Sequence, residues 1–243
     1  MASQLFQNFP TMQYTLSNGK IITIKDFFRK ARIETSALDS IIEYQYYEIL
    51  DEERPDVVAT KLYGDSDLHW TFWLVNDFDN YYDWFMGSQT FQNYLDEKYK
   101  GQCLVASNSS DIVSSTSKFL IGETVKSNTG NKTASVLEVN PTHNRITVLG
   151  DIIESGEVIS SHDKDGNVVK SFTVSSVSDS RDGVHHYEDS NNNKRTYGGA
   201  GWTPITDYIK EEQDNENKRQ IKIIKPNRIR RVVTEFERIM TDG

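Results

Sequence analysis

The sequence predicts an α+β chain in which an aromatic, helix-containing core with an N-terminal hairpin is interrupted by a small all-β module. Three observations carry this reading. Fifteen of the 27 aromatic residues fall between Tyr44 and Tyr99, so the main core is expected there. From Lys118 to Ser178 the pattern changes to short alternating runs separated by turn sequences. Beyond Thr203 helical periodicity returns, which makes the β-rich stretch an insertion.

Taken in order, the run from Gln13 to Ile24 alternates about Asn18-Gly19 and predicts a hairpin with a two-residue turn. Asp26 then stands as N-cap before FFRKARI, a short helix candidate. EYQYYEIL (43–50) is rich in aromatic and branched residues and predicts a strand ending in the charged turn DEERP. Pro55 suits a first helical turn, Val58, Ala59 and Leu62 share a face, and Gly64 ends that helix. Asp65 to Asp67 offers caps for LHWTFWLVN, a helix apolar on most sides and therefore buried. FDNYYDWFMGS reads as a loop, and Gln89 to Tyr99 as a further helix.

Cys103 to Ser117 holds six serines and no aromatic residue, the composition of a linker. Five short strands follow, FLIGETVKS, TASVLEVN, RITVLG, GEVISS and NVVKSFTVSSV, which at this spacing describe a small β-barrel or β-sandwich. VHHYED and KRTY suggest another hairpin, and the glycines of 198–201 a joint. Thr203 with Pro204 predicts a helix start, QIKIIK (220–225) a strand, and Ile229, Val232, Val233, Phe236, Ile239 and Met240 the buried stripe of a last helix. The expected domains are therefore 1–42, hairpin and helix; 43–101 with 202–243, a discontinuous core; 102–117, linker; 118–180, β module; and 181–201, hairpin and joint.

Charge and composition exclude several functions. With 27 Lys and Arg against 36 Asp and Glu the net charge is −9, which opposes binding to phosphate backbones and anionic membranes. No stretch approaches the roughly 20 apolar residues that span a bilayer. The first residues lack the basic and apolar regions of an export signal, so export is not expected. Cys103 is the single cysteine, which leaves no internal disulfide and no cysteine cluster for zinc.

No catalytic constellation stands out, and no metal or cofactor is expected. His185-His186 is the most tempting pair, but neighbours on a regular strand point to opposite faces and would not chelate one ion. Asp163-Lys164-Asp165-Gly166 resembles the middle of a calcium loop, yet Ser161 and Phe172 occupy the places of the first and last ligands, so a hairpin turn is expected. Asp77, Asp79 and Asp83 lie among Trp and Tyr, as glycosidase acids do, and read as turns and caps. The basic run Lys218, Arg219, Lys222, Lys225, Arg228, Arg230 and Arg231 follows an acidic helix, which favours pairing within the protein or with a protein partner over nucleic acid.

Tyr63-Gly64, Trp70 or Trp73, Asn76 and Ile223-Ile224-Lys225-Pro226, in the order strand, helix, helix, strand, resemble the LysM module, a small βααβ fold. Two longer runs, RPDVVATKLYGDSDLHWTFWLVNDFDNYYDWFMGSQ and ENKRQIKIIKPNRIRRVVTEFERIM, are similar to the baseplate wedge protein of the gene-53 type from large contractile-tailed phages. With DFFRKARI the resemblance covers residues 20–100 and 200–243, about half the chain; it does not extend to 102–180. It implies a LysM-like core with flanking helices, used as a non-enzymatic clamp between neighbouring wedge subunits. The implied location is the virion tail baseplate, in multiple copies, after assembly in the host cytoplasm. Other wedge subunits are the implied partners, with the central hub and sheath-initiating proteins as further candidates.

Aromatic residues suit such contacts because each buries a large area with few rotatable bonds. Trp70, Trp73, Tyr81, Tyr82 and Trp84, with Arg228, Arg230 and Arg231, are the expected partner-binding residues; Tyr81, Tyr82 and Trp84 are the set expected to be exposed. The alternatives are a LysM-type binder of peptidoglycan or N-acetylglucosamine polymers and, third, a cell-wall hydrolase, for which the insertion offers no catalytic signature.

Overall fold

The computed structural model describes residues 9–26, 44–107 and 119–242, with the backbone alone for 239–242. The FFRKARI helix, the serines of 109–117 and the side chains of Ile239 and Met240 lie outside the described residues. The elements in chain order begin with β1 (Thr11–Thr15), β2 (Ile21–Lys25), β3 (Tyr44–Glu48), α1 (Pro55–Tyr63), α2 (Trp70–Asn76) and α3 (Ser88–Lys98). Then come β4 (Gln102–Ala106), β5 (Thr124–Ser127), β6 (Thr133–Asn140), β7 (Arg145–Gly150), β8 (Val158–His162) and β9 (Val168–Asp179). The last are β10 (Val184–Glu188), β11 (Lys194–Arg195), β12 (Thr203–Thr206), α4 (Asp207–Glu216), β13 (Gln220–Ile224) and α5 (Ile229–Asp242). Two compact units result, residues 1–90 with 215–243, and residues 91–214.

In the first unit β1 and β2 pair antiparallel from Thr11↔Lys25 to Thr15↔Ile21. The turn differs from the expected two-residue form. Leu16 N–H donates to Lys20 O at 2.9 Å and Gly19 N–H to Leu16 O at 2.9 Å, so Ser17, Asn18 and Gly19 form a three-residue loop. Only Gly19 has positive φ, +79°, as a type I turn closed by a bulge requires.

β3, α1, α2 and β13 build the core of this unit as strand, helix, helix, strand. α1 starts on Pro55 and ends at Gly64, whose left-handed φ of 75° lets its N–H reach Thr60 O. A 3₁₀ turn, Ser66–His69, leads into α2, and Asp65 caps that turn by accepting from Asp67 N–H. β3 and β13 pair antiparallel, Glu48 opposite Gln220 and Tyr44 opposite Ile224, although the whole β module lies between them in sequence. Ile221 and Ile223 thereby pack with Ile49, Val58, Phe72 and Trp84. On α5 the expected stripe is buried at Ile229, Val232 and Phe236.

In the second unit six strands close into a barrel, in the order β4-β7-β6-β5-β8-β9, which decides between barrel and sandwich. Its interior is apolar, with Leu104, Val125, Val136, Ile146, Ile159 and Phe172 all buried. β4 corrects the linker expected over 102–117: Gln102 to Ala106 is a barrel strand paired with both β7 and β9. Leu104 and Ala106 face the apolar interior, a stronger determinant than the serines that follow. The sequence Asp163 to Asn167 is a hairpin turn between β8 and β9, in which Asp163 Oδ1 accepts from Asp165 N–H at 2.9 Å and Asn167 N–H at 2.8 Å.

β10 pairs with β11 as expected and also with β12. This corrects the helix start placed at Thr203-Pro204. Pro204 sits on an outer strand of a three-stranded sheet, where a missing N–H is tolerated. α4 begins only at Asp207, with Thr206 Oγ1 accepting from Ile209 N–H at 3.2 Å.

Arg145 on β7 is buried and donates to Asp207 at 2.8 Å. Gly183 leaves room for it, since a Cβ there would lie 1.4 Å from Arg145 Nη1. Among the described residues no helix is long and apolar enough to cross a membrane.

Candidate assembly surface

The loop after α2 is held by its own short side chains. Asp77 ends α2 in the left-handed region at φ 55°. Asn80 then caps a 3₁₀ turn, Tyr81–Asp83, accepting from Tyr82 N–H at 2.8 Å, while Asp83 Oδ2 accepts from Asp79 N–H at 2.8 Å and Asn80 N–H at 2.9 Å. This reciprocal box accounts for Asp83 as a cap. Lys218 Nζ donates to Tyr82 O at 2.7 Å, tying the turn to the C-terminal segment.

The turn presents Tyr81 and Tyr82 to solvent, 57% and 52% exposed. Trp84, expected with them, is instead 3% exposed. Its indole N–H reaches Glu53 O at 2.9 Å, and its ring stacks on Trp73 with centroids 5.8 Å apart and planes 8° from parallel. A partner for the N–H and a flat neighbour make burial favourable. Trp73 is half-buried and donates to Asn80 O at 3.3 Å. Trp70 is buried, 4.6 Å centroid to centroid from Phe236 of α5. Of the five expected contact aromatics, the structure therefore leaves Tyr81 and Tyr82 as the exposed pair.

The DEERP turn contributes more than a change of direction. Asp51 Oδ1 and Oδ2 accept from Ser88 N–H at 2.7 Å and Ser88 O–H at 2.9 Å, and Glu52 Oε1 accepts from Gln89 N–H at 2.8 Å. These acids lie at the N-terminus of α3, where negative charge complements the helix dipole. The hydrogen bonds from Ser88 hold the Asp51 carboxyl below its usual range. Glu53 binds Tyr47 O–H at 2.8 Å, Leu50 N–H at 2.9 Å and Lys61 at 3.1 Å. Burial opposes its ionisation, but these bonds outweigh burial and lower its pKa. Behind the turn, Asn215 clamps Met86 with bonds of 2.9 and 2.8 Å. Sequence alone offered one signal for these roles, the clustering of acids before Pro55.

In the basic run, Arg219 pairs with Glu216 at 2.6 Å. The other acids of the preceding helix have other partners: Asp207 binds Arg145, Glu211 binds Lys98, Asp214 binds Lys210 and Glu212 accepts from Tyr208 O–H. Arg228 is half-buried, whereas Arg230 and Arg231 are exposed and form no ion pair among the described residues. Both lie in the first turn of α5, which contains no acid. Cations there oppose the helix dipole, although Arg231 interacts favourably with Glu235 one turn further on.

The rings of His185 and His186 are in contact even though His185 is exposed and His186 buried. A bulge between Val184 and His186 brings the rings together, with Nδ1 to Nδ1 at 2.8 Å, and His186 Nε2 lies 2.9 Å from Glu188. Burial lowers the pKa of His185. Among the described residues no group of three or more His, Cys, Asp or Glu is placed to hold a metal ion.

The loop aromatics, their acidic supports and the N-terminal hairpin all fall within one segment that has a known counterpart. Residues 4–108 match the family model described as base plate wedge protein 53. The match covers under half of the chain, from before β1 through β4, and supports a structural role in a phage baseplate. It implies a place in the virion tail and assembly with other baseplate subunits. No curated protein matched the chain.

Proposed function

We propose that the protein is a non-enzymatic wedge subunit of a contractile phage tail baseplate and clamps neighbouring wedge subunits during assembly. The observation that carries the reading is the family match over residues 4–108. Tyr81 and Tyr82 on a turn fixed by the Asn80–Asp83 box supply a rigid aromatic contact, which lowers the entropy cost of docking. Arg230 and Arg231 supply positive charge that an acidic partner surface would neutralise. The strand, helix, helix, strand core, with its paired outer strands, supports kinship with LysM modules. The barrel is an insertion in this scheme; its first and last strands enter and leave side by side, Gln102 opposite Asp179, as a tolerated insertion requires.

The test is incorporation. Tyr81→Ala with Tyr82→Ala, and separately Arg230→Glu with Arg231→Glu, should leave the chain folded and reduce its recovery in assembled baseplates. Normal incorporation of both double variants would refute these surfaces as the clamp.

A further inference from the structure

The two-stranded sheet of β3 and β13 has two unlike edges. On the β13 edge, Asn76 Nδ2 donates to Lys222 O at 2.8 Å and Asn76 Oδ1 accepts from Lys222 N–H at 2.8 Å. Ile224 O, on the same edge, accepts from Tyr63 O–H at 2.9 Å. That edge is occupied by side chains in place of a third strand.

The same bonds fix the orientation of β3. In an antiparallel pair, residues that bond across the ladder alternate with residues whose N–H and C=O point outward. Because Lys222 points outward, its partner Tyr46 does too, and so does Glu48 opposite Gln220. The bond from Ile49 N–H to Arg219 O, 2.9 Å, agrees with this alternation. Tyr46 and Glu48 thus turn two N–H and two C=O groups away from β13, and among the described residues nothing bonds to these groups. Both residues are exposed, Tyr46 at 68%. At the next outward position, Leu50 N–H is taken by Glu53 at 2.9 Å, which ends the open edge. Within β3 no proline or bulge interrupts this edge, and Glu48 is the charge placed on it.

We propose that this edge of β3 is a strand-addition site, at which an extended segment of another baseplate subunit pairs with Tyr46 and Glu48 and makes the sheet three-stranded. The side chains define the segment that fits. Tyr46, beside Lys222 on one face, favours a flat apolar or aromatic neighbour, and Glu48 favours a basic one. The inference rests on the baseplate reading and deepens it, since the added strand would be one of the contacts of the clamp.

Residue-resolved hydrogen exchange on the isolated chain and on purified baseplates containing it tests the site directly. The Tyr46 and Glu48 amides should exchange freely in the isolated chain and slow by about 100-fold or more on assembly. Tyr46→Pro gives a second readout, because it removes an outward N–H while the ladder bonds lie on Gln45 and Tyr47. It should fold, with an unchanged tryptophan spectrum, and its incorporation should fall about tenfold. A chain that enters baseplates with both amides still exchanging freely overturns the site and leaves the baseplate reading intact. Amides already protected in the isolated chain, by a second copy or by another segment of the same chain, overturn it as well. Absence of the chain from baseplates overturns both.

Discussion

Ile223 is the position at which the architecture of the first unit is most exposed to experiment. It is fully buried on β13 and packs into the cluster formed by Ile49, Val58, Phe72 and Trp84. Ile223→Ala removes three carbons, which at about 0.8 kcal/mol each amounts to about 2.4 kcal/mol of lost transfer free energy. The empty space, roughly 75 Å³ if nothing collapses, adds up to about 1.8 kcal/mol. The expected loss is therefore between about 2 and 4 kcal/mol. Urea unfolding followed by tryptophan fluorescence reads it, since Trp70, Trp73 and Trp84 all lie in this unit. With a slope near 2 kcal/mol per molar, the midpoint should fall by roughly 1 to 2 M at constant slope. Ile223→Asp should cost more, because an unpaired charge enters the same space. Lys222→Ala, one residue away on the exposed face, should stay within about 0.5 kcal/mol. A loss below about 1 kcal/mol for Ile223→Ala would refute the placement of β13 in the core.

Trp84→Ala should destabilise the unit by about 3 to 5 kcal/mol in the same assay, whereas Tyr81→Ala and Tyr82→Ala should cost about 0.5 kcal/mol or less. In the second unit Asp207→Ala leaves buried Arg145 only the longer contact with Glu138, 3.9 Å, and should cost about 3 kcal/mol; the pair of changes Arg145→Met with Asp207→Leu should recover most of it, measured by thermal unfolding. Asp51 and Glu53 have carboxyls lowered in the folded state. Stability from them is present above the ordinary carboxylate range and lost as pH falls through the lowered values, so urea midpoints should drop at acid pH, and less steeply for Asp51→Asn. Burial and Arg145 lower the pKa of His143, and burial that of His185, so the second unit should also weaken as pH falls below about 6.5. A midpoint unchanged between pH 8 and pH 5.5 would contradict this.

Where local chemistry decides the structure, the sequence is readable. Pro55 and Gly64 mark the ends of α1 because one tolerates a missing N–H and the other a left-handed φ. The alternating runs between Lys118 and Ser178 become barrel strands because one face of each must be buried. Non-local effects are harder to see. QCLVA is only five residues long and precedes a serine run, so nothing in its composition shows that β7 and β9 bond to both its edges. Thr203-Pro204 satisfies the rules for a helix start and for an outer strand equally well, and the pairing with β10 decides between them. Trp84 lies in a loop, and its burial depends on the Glu53 carbonyl and the Trp73 ring, which only the folded chain brings to it. The His185–His186 contact needs a bulge that regular alternation does not foresee. At the candidate surface, residue types mark the aromatic turn and the basic run, while which members are exposed is set by packing.

The account depends on the chain being a component of the baseplate. The most direct measurement is its co-assembly with the other tail proteins, purified as particles and probed for the chain by mass spectrometry, alongside binding of the isolated chain to peptidoglycan fragments. The account predicts a fixed stoichiometry in the particle, reduced by the Tyr81→Ala, Tyr82→Ala double variant, and no saturable binding to the fragments. A chain absent from the particle and saturably bound to peptidoglycan would contradict it.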